Sequence, residues 1–179
     1  HLTGATLICF IKKKWFGINI DVNSLSIELF NIARKNDENI NLAVSNKKNK
    51  IKLFFRKKIN MLNTVNKKLA KIHFRNGFQV KTVKANTLNS VLERSKFKNR
   101  NIDFLNIDIE GNELDALKSL NFKKYKPKLI CIEIHNQEQM YNHQSDYLKR
   151  NSIYKFLIKK NYNVLWNNKF SYIFKKNYL

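Results

Sequence analysis

Short apolar runs that end on acids and feed amphipathic stretches constrain this chain more than any other feature. Ile102–Glu113 reads IDFLNIDIEGNE, an apolar run that stops at Asp108, Glu110 and Glu113 with Gly111 between the acids. Phe16–Asp21 (FGINID) is an earlier run of the same kind. A buried strand that ends in acids and leads into a helix is how open α/β sheets build a site at their carboxyl edge. Asn23 or Ser24 is placed to cap a helix over Ser24–Lys35, with Leu25, Leu29, Ile32 and Ala33 as its apolar stripe. Ile40, Leu42 and Val44 alternate as a strand that stops near Ser45-Asn46. Ile51–Phe55 and Val80–Lys84 read as strands, with a helix around 64–73 and another over Thr87–Glu93. Ile102–Asp108 is the next strand, followed by a helix from Gly111 to Leu120 buried through Leu114, Leu117 and Leu120. Leu129–Ile134 is a very apolar strand, residues 136–150 a polar loop and Ser152–Lys160 a helix. Tyr162–Trp166 and Phe170–Phe174 pair across Asn167-Asn168. Thr6–Ile11 suits a short helix. The alternation predicts a single α/β domain over residues 1–179, its sheet mostly parallel with a C-terminal antiparallel hairpin.

Composition removes some classes. With 43% hydrophobic and 12% aromatic residues, the chain can bury a core and is not disordered. Its longest apolar run, Leu7–Ile11, is far too short to span a bilayer. No secretory signal is visible, and Cys9 and Cys131 sit inside apolar stretches as reduced core thiols, so a cytoplasmic setting is expected. The formal charge of +22 invites a nucleic-acid partner. Only six of the 35 basic residues are arginine, however, and Lys, Asn and Ile are abundant together, as codon drift in an AT-rich genome would make them. Nucleic-acid surfaces use more arginine for its bidentate fork. Drift is the favoured reading overall. Asn39–Leu92 stands apart, with 13 basic residues and no Asp or Glu. A solvated lysine face and an anionic partner are both open there.

In strand geometry Asn106, Asp108 and Glu110 face one side, and positions two apart lie roughly 6.5–7 Å from each other. Glu133 ends the following strand, which a right-handed β-α-β unit makes a neighbour, so Asp108 and Glu133 meet at one sheet edge. Grouped carboxylates accept a proton, hold ligand hydroxyls or bind a hard cation. They also sit at helix starts for the dipole alone, a reading that fits Glu113 and Asp115. Asp108, ahead of the helix, fits it poorly. Asp21 serves either as a ribose ligand or as a helix cap. His135, next to Glu133, is a candidate lining residue, and His73, His143 and His1 are weaker. None of the histidines pairs with another ligand at metal spacing, so no metal residue is assigned, and metal dependence has no signature in the sequence.

Taken together, Ile102–Ile134 (IDFLNIDIEGNELDALKSLNFKKYKPKLICIEI) and Gly17–Asn46 (GINIDVNSLSIELFNIARKNDENINLAVSN) resemble the FkbM-type S-adenosylmethionine-dependent methyltransferases. Asn63-Thr64 and Val80–Leu92 suit the same pattern. The resemblance implies a Rossmann-like methyltransferase sheet with S-adenosylmethionine across the carboxyl ends of its first strands. It implies that Asp21 holds the cofactor ribose with Asn23 beside it. Ala43, Val44 and Ser45 then flank the adenine, and Asp108 and Glu110 stand near the methyl group and acceptor. Glu133 and His135 are the expected acceptor contacts. Such enzymes open with a strand and a D-x-G-A-x-x-G loop, which does not occur before Gly17. That departure predicts an N-terminally incomplete domain with the first strand missing.

The leading expectation is therefore O-methylation of a hydroxylated small molecule or glycan. One rival is a basic nucleic-acid-binding or RNA-modifying protein. Against base methylation, the position that carries a Pro-Pro-aromatic motif in amino-methylating enzymes holds Glu110-Gly111, and Pro127 is the only proline. The other rival is a non-catalytic, methyltransferase-like remnant. Oligomeric state has no signature in the sequence.

Overall fold

The computed structural model describes residues 15–56, 62–134, 147–168 and 170–178. The expected Thr6–Ile11 helix, Cys9, His135 and most of the 136–150 loop lie outside them. The order is β1 (Ile18–Asp21), α1 (Ser24–Ala33), β2 (Glu38–Asn41), β3 (Ala43–Val44), β4 (Asn49–Phe55), α2 (Lys67–His73), β5 (Gln79–Asn86), α3 (Leu88–Arg94), β6 (Phe104–Ile107), α4 (Glu113–Lys118), β7 (Leu129–Glu133), α5 (Tyr147–Arg150), α6 (Ser152–Lys159), β8 (Tyr162–Asn167) and β9 (Ser171–Lys176). Caps set most of the helix starts. Asn23 accepts from Leu25 N–H, Asn66 from Lys68 and Leu69, Thr87 from Ser90, and Asn151 from Ile153 and Tyr154. Each side-chain oxygen satisfies a backbone donor that the first helical turn leaves open.

The strands form three small sheets, ordered β1-β2, β3-β5-β4 and β6-β7-β9-β8. Parallel pairing joins β1 to β2, β3 to β5 and β6 to β7; antiparallel pairing joins β4 to β5, β7 to β9 and β8 to β9. The expected predominance of parallel pairing is thus corrected to a mixed α/β arrangement. The physical reason is β4, which returns on β5 over seven register pairs instead of leading through a crossover helix to a parallel neighbour. The run from Ile40 to Val44 is also not one strand. Leu42 N–H bonds to Asp21 O at 3.0 Å between two short strands, of which β2 pairs with β1 and β3 with β5.

The main core lies under the four-stranded sheet. Ile130 and Ile132 of β7 and Phe174 of β9 are fully buried, and they cluster with Leu117 of α4 and Leu157 of α6. Tyr162 closes this core, its hydroxyl donating to Pro127 O at 2.8 Å; burial pushes that phenol well above its ordinary range. Because strand side chains alternate, Leu129, Cys131 and Glu133 take the other face, where all three are half-buried. Burial also pushes the Cys131 thiol up. A second expectation fails at α1. Its stripe faces outward, with Leu29 61% and Ile32 79% exposed, and Ile27 is the residue turned inward. α1 covers only the two-stranded β1-β2 sheet, which is too narrow to bury a full helical face. Among the described residues no helix is long and apolar enough to cross a membrane.

Candidate active site

The β1-β2 sheet and the β6-β7 edge of the four-stranded sheet meet at a cleft. β1 pairs on one side only, with β2, and β6 only with β7. Between them lies a cavity of about 560 Å³ lined by Gly17–Asn23 on one wall and by Phe104–Asn106, Asp108, Ile109 and Glu110 on the other. Among the described residues no strand lies between these walls. Contacts between flanking residues tie the two walls together at both ends. At their N-terminal ends, the Phe16 and Phe97 rings stack at 5.6 Å and Lys96 N–H bonds to Glu38 at 3.0 Å. At their C-terminal ends, Asp21 O holds Leu42, and Val44 O accepts from Asn112 Nδ2 at 2.6 Å. Asp21 and Asp108, at the carboxyl ends of β1 and β6, both line the cleft.

Asp21 terminates β1 and is half-buried. Its Oδ1 accepts from Asn23 N–H at 2.7 Å, which makes it a turn former as well as a cleft residue. Burial raises its carboxyl above the ordinary 3.8, against the opposing hydrogen bonds from Asn23, Ser26 and Val22. Ala43, Val44 and Ser45 are all buried, with Ala43 and Val44 on the cleft wall. Ser45 N–H is taken by Asn86 O at 2.9 Å.

Across the cleft three acids converge. One carboxylate oxygen from each of Asp108, Glu110 and Glu133 lies within 4.8 Å of the others. The β6–β7 register explains part of this. Ile107 stands beside Ile132, so the next residues, Asp108 and Glu133, leave their strands side by side. The turn explains the rest. Glu110 takes the left-handed conformation (φ 54°) and Gly111 follows at φ 102°, which turns the buried Glu110 back toward Asp108. A left-handed non-glycine residue is strained and persists only when neighbours hold it. Two clamps do so. Thr64 Oγ1 donates to Glu110 O, while Thr64 itself is bridged to β4 through Phe54. Glu113 accepts Gly111 N–H at 2.9 and 3.0 Å and Ile109 N–H at 3.3 Å. Glu113 is therefore turn architecture. Three oxygens this close suit a shared proton, a ligand hydroxyl or a hard cation equally well in chemical type.

Gly111 is required twice over. A Cβ there would lie 2.5 Å from Leu69 Cδ1 and 3.2 Å from Asn66 Cβ, on a backbone that L side chains rarely adopt. Gly111→Ala is expected to destabilise the fold by about 1–3 kcal/mol. A urea midpoint that does not move would show that the turn is not held as described.

The structure thus gathers Asp108, Glu110 and Glu133 and puts Asp21, Asn23, Ala43 and Val44 on the same cleft. Ser45 lies beyond the lining, and His135 is outside the described residues. Sequence reasoning missed Thr64 and Asn112 as holders of the site. Asn63-Thr64 between two lysine-rich stretches was the only visible signal for the first. Asn112 reads as a helix cap, yet its side chain makes no cap bond and instead reaches β3.

Searches of curated proteins and of solved structures return no match to this chain. The family model described as the methyltransferase FkbM domain matches residues 4–162, which takes in both walls of the cleft and the three-acid edge. The chain belongs to the FkbM-domain methyltransferases.

Proposed function

We propose that this domain transfers a methyl group from S-adenosylmethionine to a hydroxyl oxygen of a small molecule or glycan. The observation that carries the reading is the cleft with Asp21 at the carboxyl end of one wall and Asp108 and Glu110 on the other. We read β2-β1 and β6-β7-β9-β8 as the two halves of a Rossmann-like sheet, a reading supported by the shared cleft that both β1 and β6 line, with Asp21 and Asp108 at their carboxyl ends.

The residues suit the cofactor. The Asp21 carboxylate, which accepts from Asn23, Ser26 and Val22, has acceptor capacity for a further donor, and vicinal ribose hydroxyls are donors of that kind. The buried Ala43 and Val44 offer an apolar wall for a flat base. The bound cofactor supplies an electrophilic methyl group on a sulfonium. Asp108, Glu110 and Glu133 set a negative potential at this end of the cleft, which favours a cationic donor. Asp108 orients the acceptor hydroxyl and takes its proton as oxygen attacks, while Glu110, more deeply buried and fixed by the Gly111 turn, holds the constellation in place. Glu133 accepts a further acceptor hydroxyl.

Calorimetric titration of the protein with S-adenosylmethionine is expected to give saturable, one-site heat. Absence of any binding heat, with the protein folded by circular dichroism, would sink the proposal.

A further inference from the structure

The most one-sided charge in the sequence lies in Asn39–Leu92. The 13 basic residues of Asn39–Leu92, met by no acid in that stretch, fall largely on the β4–β5 ribbon and α2. Register decides where they point. Lys50 stands directly opposite Lys84, and Lys52 opposite Thr82. Alternation puts all four side chains on one face, and all four are exposed. The opposite face carries Ile51, Leu53, Phe55, Val83 and Ala85, of which Leu53 lines the cleft, together with one lysine, Lys81, whose ammonium lies over the Phe55 ring. Phe54, two positions after Lys52, is buried against Ala70 and Phe74. α2 therefore sits on the lysine side of the ribbon, where Lys67, Lys68, Lys71 and the adjacent Arg75 are exposed.

Like charges directly opposite one another destabilise an antiparallel pair. Among the described residues no ion pair to Lys50 or Lys84 offsets this repulsion. The ion pairs found among the described residues, Arg34–Asp37, Lys124–Glu93 and Lys128–Asp103, all lie elsewhere. Lysine drift alone scatters charge, whereas here the fold sets lysines side by side on one face.

We infer that this face docks the phosphodiester backbone of a single-stranded nucleic acid. Lysine ammoniums contact phosphate oxygens as point charges, and such contacts position a strand without reading its bases. Lys50 and Lys52, about 6.8 Å apart along an extended strand, form a linear track and not a pocket. Among the described residues of the ribbon, Val80 beside Thr82 is the one large apolar side chain exposed on this face, too little to bury in an acyl layer, which favours a polymer over a membrane surface. This docking does not depend on the methyl-transfer reading, and its test involves no cofactor.

Fluorescence anisotropy with the full chain and a fluorescein-labelled, mixed-sequence single-stranded RNA tests it. Affinity should fall steeply with salt through counterion release. Lys50→Glu should weaken binding roughly tenfold at moderate salt and flatten the log–log salt slope by about 1. Lys118→Glu, exposed on α4, should change affinity by less than about twofold. Lys50→Glu also turns a like-charge pair into an opposite one, so it should melt no lower than the wild type, which separates lost binding from lost folding. Equal losses in the two variants would reduce the surface to diffuse net charge and overturn the assignment. So would tighter binding to phosphatidylserine vesicles than to RNA, or no RNA binding at low salt.

Discussion

Asp108→Asn is expected to lower methyl transfer by about 10²–10⁴-fold, the usual worth of a positioned general base, while leaving S-adenosylmethionine affinity close to that of the wild type. The amide keeps the size and one acceptor oxygen of the carboxylate but cannot take the acceptor's proton. Asp108 is the member of the acid group that is both on the cleft wall and only half-buried. Tritium transfer from labelled cofactor to a panel of hydroxylated acceptors, beside calorimetry on the same sample, measures both quantities. A variant with full transfer would remove Asp108 from the chemistry. A variant that loses cofactor binding in equal proportion would make it a binding residue. Glu110→Gln gives a second comparison, since Glu110 is 5% exposed and locked in its turn. Its loss should appear as weaker transfer together with a lower melting temperature.

Asp21→Asn should separate binding from stability in opposite directions. Hydrogen bonds to a charged group are worth about 1.5–3 kcal/mol, so cofactor affinity should fall about tenfold to a hundredfold. Stability should move the other way. Burial raises the Asp21 carboxyl above 3.8 in the folded protein. A group raised on folding favours the native state only while protonated. That contribution is fully present below the unfolded value and is lost as pH rises through the folded one. At neutral pH the ionised Asp21 therefore costs stability, and a site residue held at such a cost is a familiar trade against function. Asparagine keeps an acceptor for Asn23 N–H and removes the charge. The variant should melt higher than the wild type at neutral pH, and the gap should close as pH is lowered toward 3.8 and below. A gap that widens in acid would contradict the burial account.

Much of this site was legible in the chain because its signals are local. The acid at the end of FGINID, the Asn23 cap and the step from IDFLNID into a helix are each set by neighbours within a few residues. The adjacency of Asp108 and Glu133 followed from one longer-range rule, that a short β-α-β unit makes its strands neighbours. The outward stripe of α1 was not legible. Periodicity tells which residues share a helical face but not whether a sheet is wide enough to cover it. The split of Ile40–Val44 between two sheets was hidden for a similar reason, since alternation is the same whichever strand accepts the hydrogen bonds. The lysine surplus misled in a different way. Composition counts charges, and only the β4–β5 register sets Lys50 against Lys84.

By itself, then, the sequence determined most of the helices and strands, the cap of α1 and the acids at the strand ends, because hydrogen-bond capping and side-chain periodicity act over a single turn or a few residues. The tertiary structure alone decided that Glu110 turns back through a left-handed backbone held by Thr64 and Glu113, that Asn112 reaches across to Val44, and that the edges of β1 and β6 flank one cleft. Those contacts join residues up to 68 positions apart. They exist only once packing has closed the intervening chain, and no local pattern encodes which distant partner will be there.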